Sequence, residues 1–335
     1  MATARQQLKR LLSGLCVFLL LVGPARAQEK APAPSLVFGL ISPRAAAETR
    51  ANWAPFAQRL GLASRRPVDL RVYESQAELS KAFIAGEIDL AWMGNAPALD
   101  VVEAGVGAVF AQMVTQDGSF GYKSLLITQR QASFTSLSHV IERARSLSFS
   151  DGDPKSTSGY LVPLYYAFQK NGVDSTKAIF KSVETGSHQQ NLAKVAKGEV
   201  DVATANNEEL AFFKRDFPAL AENVKVVWES PLIPQSPLLW KASLAAETKK
   251  SIKTFVMNFG ATNADEKKIL LAVNGLSRFR PSTNRQLVPV ADLEMFKTRR
   301  SINNDKSLSD AERLRKINEA IERGSRLELR LKLSS

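Results

Sequence analysis

The sequence predicts an α/β fold with two similar lobes, and three observations support this fold class. Segments with strand patterns alternate with segments with helical patterns, which favours mostly parallel sheets joined by right-handed crossovers. The order of these segments occurs twice, with the second copy about 110 residues after the first. Two extended segments connect the copies, and helical patterns fill residues 246–335. These features indicate two βαβαβ lobes with hinge strands and C-terminal helices.

The first copy has the order strand, helix, strand, helix, strand. Three apolar or alternating segments predict its strands: 36–41, 68–72 and 87–92. We expect Gly61 to end the first helix, because glycine commonly follows the last apolar position of a helix. Ser75, with Glu78 three residues later, has the spacing of a capping box at the start of the second helix, and Gly86 is expected to end that helix.

The second copy repeats this plan. Its strands are predicted at 147–149, 179–183 and 199–204. The helix after its first strand is expected to end near Gly172. Ser187 and Gln190 again have the spacing of a capping box, and Gly198 follows eleven residues after the capping serine, as in the first copy.

A short repeated sequence strengthens the case for duplication. Gly-Glu-Ile-Asp-Leu-Ala at 86–91 returns as Gly-Glu-Val-Asp-Val-Ala at 198–203. Ligands of parallel α/β sheets bind at the carboxyl ends of the strands, where helix N-termini gather. Two such lobes that face each other would direct positive helix ends into one cleft. We therefore expect a small anion to be bound from both sides.

Extended segments at 121–127 and 226–234 cross between the copies and are expected to form a hinge for closure around a ligand. They divide the chain into a signal segment, a first lobe and a second lobe: 1–27, 28–125 with 235–335, and 126–234. A charged amphipathic helix is predicted at 311–321, with a solvated face rather than a partner site.

The hydroxyl-rich stretch 153–159, Asp-Pro-Lys-Ser-Thr-Ser-Gly, is the strongest candidate for the anion site. Ser156, Thr157 and Ser158 precede a helical pattern. Their hydroxyl groups, and the free N–H groups of a first helical turn, are suitable donors to an oxyanion. The alternative is simple helix capping, because Ser, Thr and Asp are the preferred capping residues.

The N-terminus has the pattern of a cleavable secretory signal peptide, with basic residues, the apolar run 11–22 and Ala-Arg-Ala before Gln28. We therefore expect export to the periplasm. The mature chain should lack a disulfide, because Cys16 lies in the signal. Four of the cations behind the net charge of +12 also leave with the signal. The remaining cations are scattered, which favours solubility and attraction of small anions over nucleic-acid binding.

The sequence lacks motifs for catalysis, cofactors or metals. It has no Gly-x-Ser-x-Gly elbow, no Walker or dinucleotide glycine pattern, and no Cys or His cluster for a transition metal. His139 lies in an ordinary amphipathic segment, whereas His188 follows the second capping serine and should face the cleft. Gln76 is its equivalent in the first copy. We predict that the protein is not an enzyme and binds no cofactor or metal.

Four motifs occur in order along nearly the whole mature chain, at 153–159, 198–204, 230–234 and 286–290. Together they resemble the phosphonate-binding periplasmic proteins of ABC importers, a family that also includes phosphite and phosphate binders. The resemblance implies a two-lobed, type II periplasmic-binding-protein-like fold. It also implies a small phosphorus oxyanion as ligand and an inner-membrane ABC permease as partner.

The resemblance assigns single residues to the two ends of the ligand. The residues that would bind the phosphonate oxygens are Ser156, Thr157, Ser158, Tyr122 and His188. Glu208 occupies the position of a glutamate that binds the ammonium group of an aminoalkyl phosphonate. The alternative for Glu208 is a solvated acid in the first turn of a helix.

Two positions depart from the family pattern. Gln76 stands where a tyrosine is expected, and Ser236 stands where an aspartate would complete the ammonium site. A desolvated cation needs paired negative charge, so the loss of one carboxylate weakens the case for an amine-bearing ligand.

We therefore predict a monomeric substrate-binding component of an ABC importer. It would capture phosphonate, phosphite or phosphate in the cleft and deliver it to the permease, without a nucleic-acid partner. The alternative is a periplasmic anion sensor that presents the ligand to a membrane signalling receptor, because both roles need the same closed state.

Overall fold

A computed structural model describes residues 34–333 as an α/β protein, and the predicted signal segment therefore lies outside the described residues. The strands are β1 Leu36–Ile41, β2 Val68–Tyr73, β3 Leu90–Trp92, β4 Gly107–Thr115, β5 Gly121–Tyr122, β6 Ser124–Gln129, β7 Ser148–Asp151, β8 Ser182–Thr185, β9 Val202–Asn206, β10 Val224–Glu229, β11 Ile233–Pro234, β12 Pro237–Lys241 and β13 Leu276–Pro281.

The α-helices connect these strands and fill the C-terminal part of the chain. They are α1 Ala46–Ser64, α2 Gln76–Ile84, α3 Asn95–Glu103, α4 Leu137–Arg143, α5 Thr176–Ile179, α6 His188–Lys197, α7 Asn207–Asp216, α8 Pro218–Ala221, α9 Ala246–Asn258, α10 Ala264–Asn274, α11 Val288–Asn304 and α12 Asp310–Leu333. Within the described range, none of these helices has the length and apolar character needed to cross a membrane.

The sheet topology confirms the duplicated plan. In the six-stranded sheet, with the order β13-β4-β12-β3-β1-β2, β1 lies between β2 and β3 and is parallel to both. In the five-stranded sheet, with the order β10-β6-β9-β7-β8, β7 lies between β8 and β9 in the same way. Antiparallel strands complete each sheet. We call the elements around the six-stranded sheet the first lobe, and those around the five-stranded sheet the second lobe.

Two short extended segments cross between the lobes. In the hinge ribbon, defined here as β5 and β11, Tyr122 pairs with Ile233 and Gly121 with Pro234 in antiparallel register. Only two residue pairs hold it, and Pro234 has no N–H to donate. The extended crossings expected from the sequence are therefore present.

Aromatic packing in the first lobe fixes the helix that leads to the cleft. Trp53 and Phe56 on α1 are fully buried against the sheet and the C-terminal helices. The ring of Phe38 on β1 makes an edge contact with Trp53 at 5.3 Å, and Phe259 makes one with Phe56 at 4.9 Å. Such contacts add to the free energy gained by burial and hold the N-terminus of α1 in place.

The first helix does not end at Gly61, as its pattern predicts, but continues to Ser64. The left-handed residue after it is Arg65, at φ 55°, whose N–H bonds the carbonyls of Gly61 and Leu62. Glycine inside a helix costs only about 1 kcal/mol. This small cost does not stop the helix, which closes on the left-handed Arg65 instead.

Other predicted boundaries also shift. The third strand of each copy is shorter than expected, because β3 begins at Leu90 and β9 at Val202. Ile179 belongs to the short helix α5 rather than to β8. Gly172 and Gly198, at φ 79° and 76°, do end their helical segments as predicted.

The C-terminal part is not entirely helical, because β13 lies within it. This strand buries Leu276 and Phe279, three positions apart, and a register shift against β4 falls between Leu276 and Arg278. The bulge replaces the usual alternation with a spacing that resembles a helix. The charged helix predicted at 311–321 is longer than expected, since α12 spans Asp310–Leu333 and buries Leu327 and Leu331.

Candidate ligand-binding cleft

A cleft of about 670 Å³ lies between the two lobes. Its walls come from the loops after β1, β2 and β3 in the first lobe, and after β7, β8 and β9 in the second. Each of these loops leads into a helical segment, so several helix N-termini face the same space. Their free N–H groups and partial positive charge make the cleft suitable for an anion.

The structure brings together all of the predicted site residues. Those that line the cleft are Gln76, Tyr122, Ser156, Thr157, Ser158, His188, Glu208 and Ser236. His139, which the sequence assigned to a structural role, is exposed on α4 and does not line it. In the described range, no group of three or more His, Cys, Asp or Glu side chains could hold a metal ion.

The hydroxyl groups of Ser156 and Thr157 have different partners. Ser156 Oγ accepts a hydrogen bond from the N–H of Gly159 at 3.0 Å. Thr157 Oγ1 accepts one from the N–H of Ala96, at the start of α3 in the first lobe, at 2.8 Å. Each hydroxyl proton stays available for donation, because a hydroxyl group both accepts and donates. The Thr157 bond also crosses the cleft and joins the lobes.

Close backbone contact shapes the loop that carries these hydroxyls. The N–H of Gly152 donates to the carbonyl of Gly159 at 3.0 Å. A Cβ on Gly152 would lie 2.6 Å from Gly159 Cα, so a larger residue cannot fit without a backbone shift. The helix expected after the hydroxyls consists largely of π-helical turns, Thr157–Leu161 and Leu164–Phe168. Such turns are frequent at functional sites.

Ser158, His188 and Tyr122 form one hydrogen-bonded group. Ser158 Oγ lies 3.1 Å from His188 Nε2. Burial lowers the pKa of His188 to about 4, so the ring is neutral at physiological pH. Burial raises the pKa of Tyr122 above its usual value, although a hydrogen bond with Ser158 opposes this shift, so the phenol keeps its proton. The group therefore supplies donors without a full positive charge.

The N-terminus of α6 has the predicted capping box. Ser187 Oγ accepts from the N–H of Gln190, and Gln190 Oε1 accepts from the N–H of Ser187. At α2 only the first half is present, since Ser75 accepts from the N–H of Glu78 without a return bond. Both helices nevertheless start at the cleft.

Gln76 links two walls of the cleft. Its N–H donates to Asp153 Oδ2 in the second lobe at 3.0 Å, and its side-chain Oε1 accepts from the N–H of Gly94 at 3.3 Å. Asp153 also accepts from the N–H of Lys155 at 2.7 Å. Gln76 therefore holds the hydroxyl-rich stretch 153–159, which we call the hydroxyl loop, against the first lobe.

Glu208 is held by a neutral donor. Gln235 Nε2 donates to Glu208 Oε1 at 2.5 Å, and Gln235 Oε1 accepts from the N–H of Ser236 at 3.3 Å. Burial raises the pKa of Glu208 to about 7, and the negative charge of Glu209 adds to the effect. Glu208 is thus not the solvated acid that its place in a first helical turn allowed.

Sequence reasoning missed an arginine and an acid that also line the cleft. Arg44, only 8% exposed, lies in the loop between β1 and α1. Its Nε is 3.4 Å from Oε2 of Glu209 in the second lobe, and its guanidinium covers the ring of Phe212 at 4.1 Å. A cation directly after a predicted parallel strand was the available signal for this residue.

Comparison with known proteins identifies the family. The sequence model described as "ABC transporter, phosphonate, periplasmic substrate-binding protein" matches residues 38–287. The chain belongs to this family. Within it, the chain is 37% identical over 299 residues to the phosphonates-binding periplasmic protein of Escherichia coli K12, which covers 89% of this chain and 87% of that protein.

Solved structures agree with this assignment to the phosphonate-binding family. The crystal structure of a binding-protein component of an ABC phosphonate transporter from Pseudomonas aeruginosa is 36% identical, with a TM-score of 0.82 over 89% of this chain and 98% of that chain. A Prochlorococcus marinus protein solved with methylphosphonate is 21% identical, with a TM-score of 0.71 over 79% of this chain and 99% of that one. The similarity to the Prochlorococcus marinus protein shows the fold alone, and this fold is the two-lobed one predicted from the sequence.

Proposed function

We propose that this periplasmic substrate-binding protein captures a phosphonate, or a related phosphorus oxyanion such as phosphite or phosphate, and delivers it to an inner-membrane ABC permease. The observation that carries the proposal is the convergence of neutral donors from the second lobe and the hinge ribbon on one cleft. Ser156 and Ser158 provide hydroxyls, Tyr122 a phenol and His188 a neutral ring. A hydrogen bond from such a donor to a charged oxygen of an anion is stronger than a hydrogen bond from the same donor to a neutral acceptor.

Both lobes contribute to the proposed closed state. Thr157 in the second lobe accepts a hydrogen bond from the N–H of Ala96 in the first, and Asp153 in the second lobe likewise accepts one from the N–H of Gln76. A ligand seated between these contacts would be removed from water, so each of its hydrogen bonds would be stronger than in solution.

We propose binding without catalysis. A hydrolase built on Ser158 and His188 needs a third group to orient the ring through Nδ1. His188 Nδ1 is buried and has no hydrogen-bond partner among residues 34–333. The sensor alternative would use the same cleft, and membership of a transport family makes it the weaker explanation.

The remaining parts of the proposal concern the whole chain. We propose that a signal peptide is removed before Gln28 and that the mature protein is a periplasmic monomer without a nucleic-acid partner. The pattern of basic residues and a short apolar run supports export. We also propose the lobe division inferred from the sequence, with the second lobe at 126–234.

The hydroxyl loop provides the test. Ser156→Ala with Thr157→Ala should weaken methylphosphonate binding by about 2 to 4 kcal/mol, because two hydrogen bonds to a charged group are lost. Isothermal titration calorimetry measures the change. The matched control is Thr135→Ala with Ser138→Ala, two exposed positions outside the cleft. Equal affinities for both double variants would reject the site.

A further inference from the structure

Helix α11 contacts both lobes but takes no part in the cleft. Among the described residues, none of its side chains lines the cleft. The helix also begins directly after residues 38–287, the span that the family sequence model matches. We call residues 286–300, which comprise the turn before α11 and most of the helix, the strap.

One face of the strap is anchored in the first lobe. Leu287 and Ala291 belong to the hydrophobic core around the six-stranded sheet. Met295 packs against α12, where a Cβ on Gly324 would lie 2.9 Å from the methyl carbon of Met295. Because these contacts are buried and close, α11 should move with the first lobe.

The start of the strap is bonded to the second crossing segment of the hinge. Gln286 Nε2 donates to the carbonyl of Gln235 at 3.1 Å and to Asn95 Oδ1 at 2.9 Å. Asn95 Nδ2 donates in turn to the carbonyl of Pro234 at 2.7 Å. Gln286 Oε1 accepts from Ser282 Oγ at 2.6 Å, so the amide is held at both ends. These bonds fix the crossing segment to the first lobe.

A hydrophobic cluster continues from the hinge toward the second lobe. Its buried members come from α3, the hinge ribbon, the π-helical turn after the hydroxyl loop and the strap: Ala96, Tyr122, Leu161, Val162, Ile233, Val290 and Leu293. Val290 and Leu293 lie three residues apart, on one face of α11. The cluster buries apolar surface of both lobes whether or not a ligand is bound.

The far end of the strap contacts the second lobe directly. The ring of Phe296 makes an edge contact with that of Tyr165 at 4.8 Å, centroid to centroid. Arg300 forms an ion pair with Asp174. The strap therefore joins the first lobe, the hinge and the second lobe in one continuous segment.

Opening of the cleft must disturb these contacts. Rotation about the hinge ribbon moves Tyr165 and Asp174 relative to α11, because α11 is anchored in the first lobe. Arg300 lies about 15 Å along the helix from Val290, so its partner moves further than groups at the hinge. Groups already in contact can then only separate, which loses attraction, or be compressed, which is repulsive. Both changes oppose opening.

From these contacts we infer that the strap biases the lobes toward the closed form, and that it raises the affinity for the ligand without touching it. The inference goes beyond the proposed function, because such a bias would act on any ligand of the cleft.

The double variant Phe296→Ala with Arg300→Gln tests the strap. Its dissociation constant for methylphosphonate, measured by calorimetry, should rise about three- to tenfold, because less of the ligand-free protein is closed. Small-angle X-ray scattering should show a larger radius of gyration without ligand and the wild-type radius at saturation. Wild-type values, or tighter binding, would overturn the inference.

The matched control changes a ring and an ion pair that each lie within one lobe. Phe217 packs against Phe213 at 5.3 Å in the second lobe, and Arg323 pairs with Glu103 in the first. Phe217→Ala with Arg323→Gln should keep the wild-type affinity and radius of gyration. A rise in the control equal to that in the strap variant would also overturn the inference.

A charge exchange tests the strap without disturbing the core, since the side chains of Arg300 and Asp174 are 30% and 46% exposed. Arg300→Asp or Asp174→Arg alone places like charges together, and each should raise the dissociation constant about two- to threefold. The two changes combined restore an opposite pair and should return the wild-type value. Failure of the combined variant to recover would show that the pair does not act across the lobes.

The two readouts separate this inference from the proposed function. Absence of methylphosphonate binding by the wild type would count against the proposed function. The radius of gyration of the ligand-free variants would still decide whether the strap favours closure.

Discussion

Asp151, the last residue of β7, has a carboxyl group that is buried at the edge of the cleft rather than solvated. Its Oδ2 accepts a hydrogen bond from the hydroxyl of Thr176 at 3.1 Å, and its Oδ1 accepts one from the N–H of Gly152 at 3.2 Å. Burial raises its pKa to about 7, and these hydrogen bonds and Lys177 only partly oppose the shift. In the folded protein the group therefore holds a proton that it loses at much lower pH when unfolded.

This difference in pKa predicts a pH-dependent stability. Between the unfolded value near 4 and the folded value near 7, the folded state binds more protons, so its stability falls as pH rises. Between pH 5 and pH 8, the free energy of unfolding of the Asp151→Asn variant should fall by about 2 kcal/mol less than that of the wild type. Urea unfolding at the two pH values measures it. If wild type and variant lost the same free energy, the buried carboxyl would not be protonated.

Residue-level prediction from sequence succeeded where position alone decided the outcome. Ser156 and His188 could be placed at the cleft because both precede or begin helices at the carboxyl ends of parallel strands. The contact between Arg44 and Glu209 could not be predicted, because it joins residues of two different lobes. It belongs to the packed structure and has no local pattern.

At the level of elements, the hydroxyl loop and the π-helical turns after it act as one unit. Gly152 and Gly159 touch through their backbones, and this contact folds the loop back onto the first turn. The sequence predicted a helix here from its apolar spacing, but the wider π turns were not predictable. They depend on where the loop is held, since the Thr157 hydroxyl bonds α3 of the other lobe.

The close glycine contact can be tested by one methyl group. Gly152→Ala should destabilise the protein by about 1 to 3 kcal/mol, because the added Cβ meets backbone atoms that cannot rotate away. It should also weaken methylphosphonate binding. Thermal unfolding and calorimetry give the two values. Gly324→Ala is the control, because its Cβ would meet the flexible side chain of Met295. Wild-type stability and affinity in Gly152→Ala would show that the loop is not tightly packed.

Element boundaries show a similar limit. The strands of the two parallel units were found from apolar runs and alternation, and the capping box at Ser187 marked the start of α6. β13 was missed because its bulge changes the spacing of buried residues. Local pattern therefore predicts regular elements well and irregular edge strands badly.

At the scale of the whole molecule, polar contacts connect the lobes on both sides of the cleft. Lys155 Nζ in the second lobe lies 2.7 Å from Asp100 Oδ2 on α3. Arg44 faces Glu209, and the N–H of Gln76 bonds Asp153. These contacts form only when the lobes are close, so they contribute to the equilibrium between open and closed forms.

Removal of one such contact should shift that equilibrium. Asp100→Asn breaks the pair with Lys155, which is partly exposed, so the closed form should lose less than about 1 kcal/mol. The dissociation constant of methylphosphonate should rise about two- to fivefold. Small-angle X-ray scattering of the ligand-free protein should show a larger radius of gyration.

A pair within one lobe provides the control for this change. Lys194 Nζ lies 2.7 Å from Glu184 Oε1, and both residues belong to the second lobe. Glu184→Gln should leave the radius of gyration and the affinity at their wild-type values. If Asp100→Asn behaved in the same way, the contact with Lys155 would have no part in closure.

The position of Trp92 has a practical consequence. Its indole forms part of the cleft wall and lies 5.3 Å from that of Trp53, centroid to centroid. Indole fluorescence depends on the polarity of the surroundings, and a ligand replaces water beside this ring. The native chain thus contains an optical reporter of its own occupancy, which makes titrations possible without an attached dye.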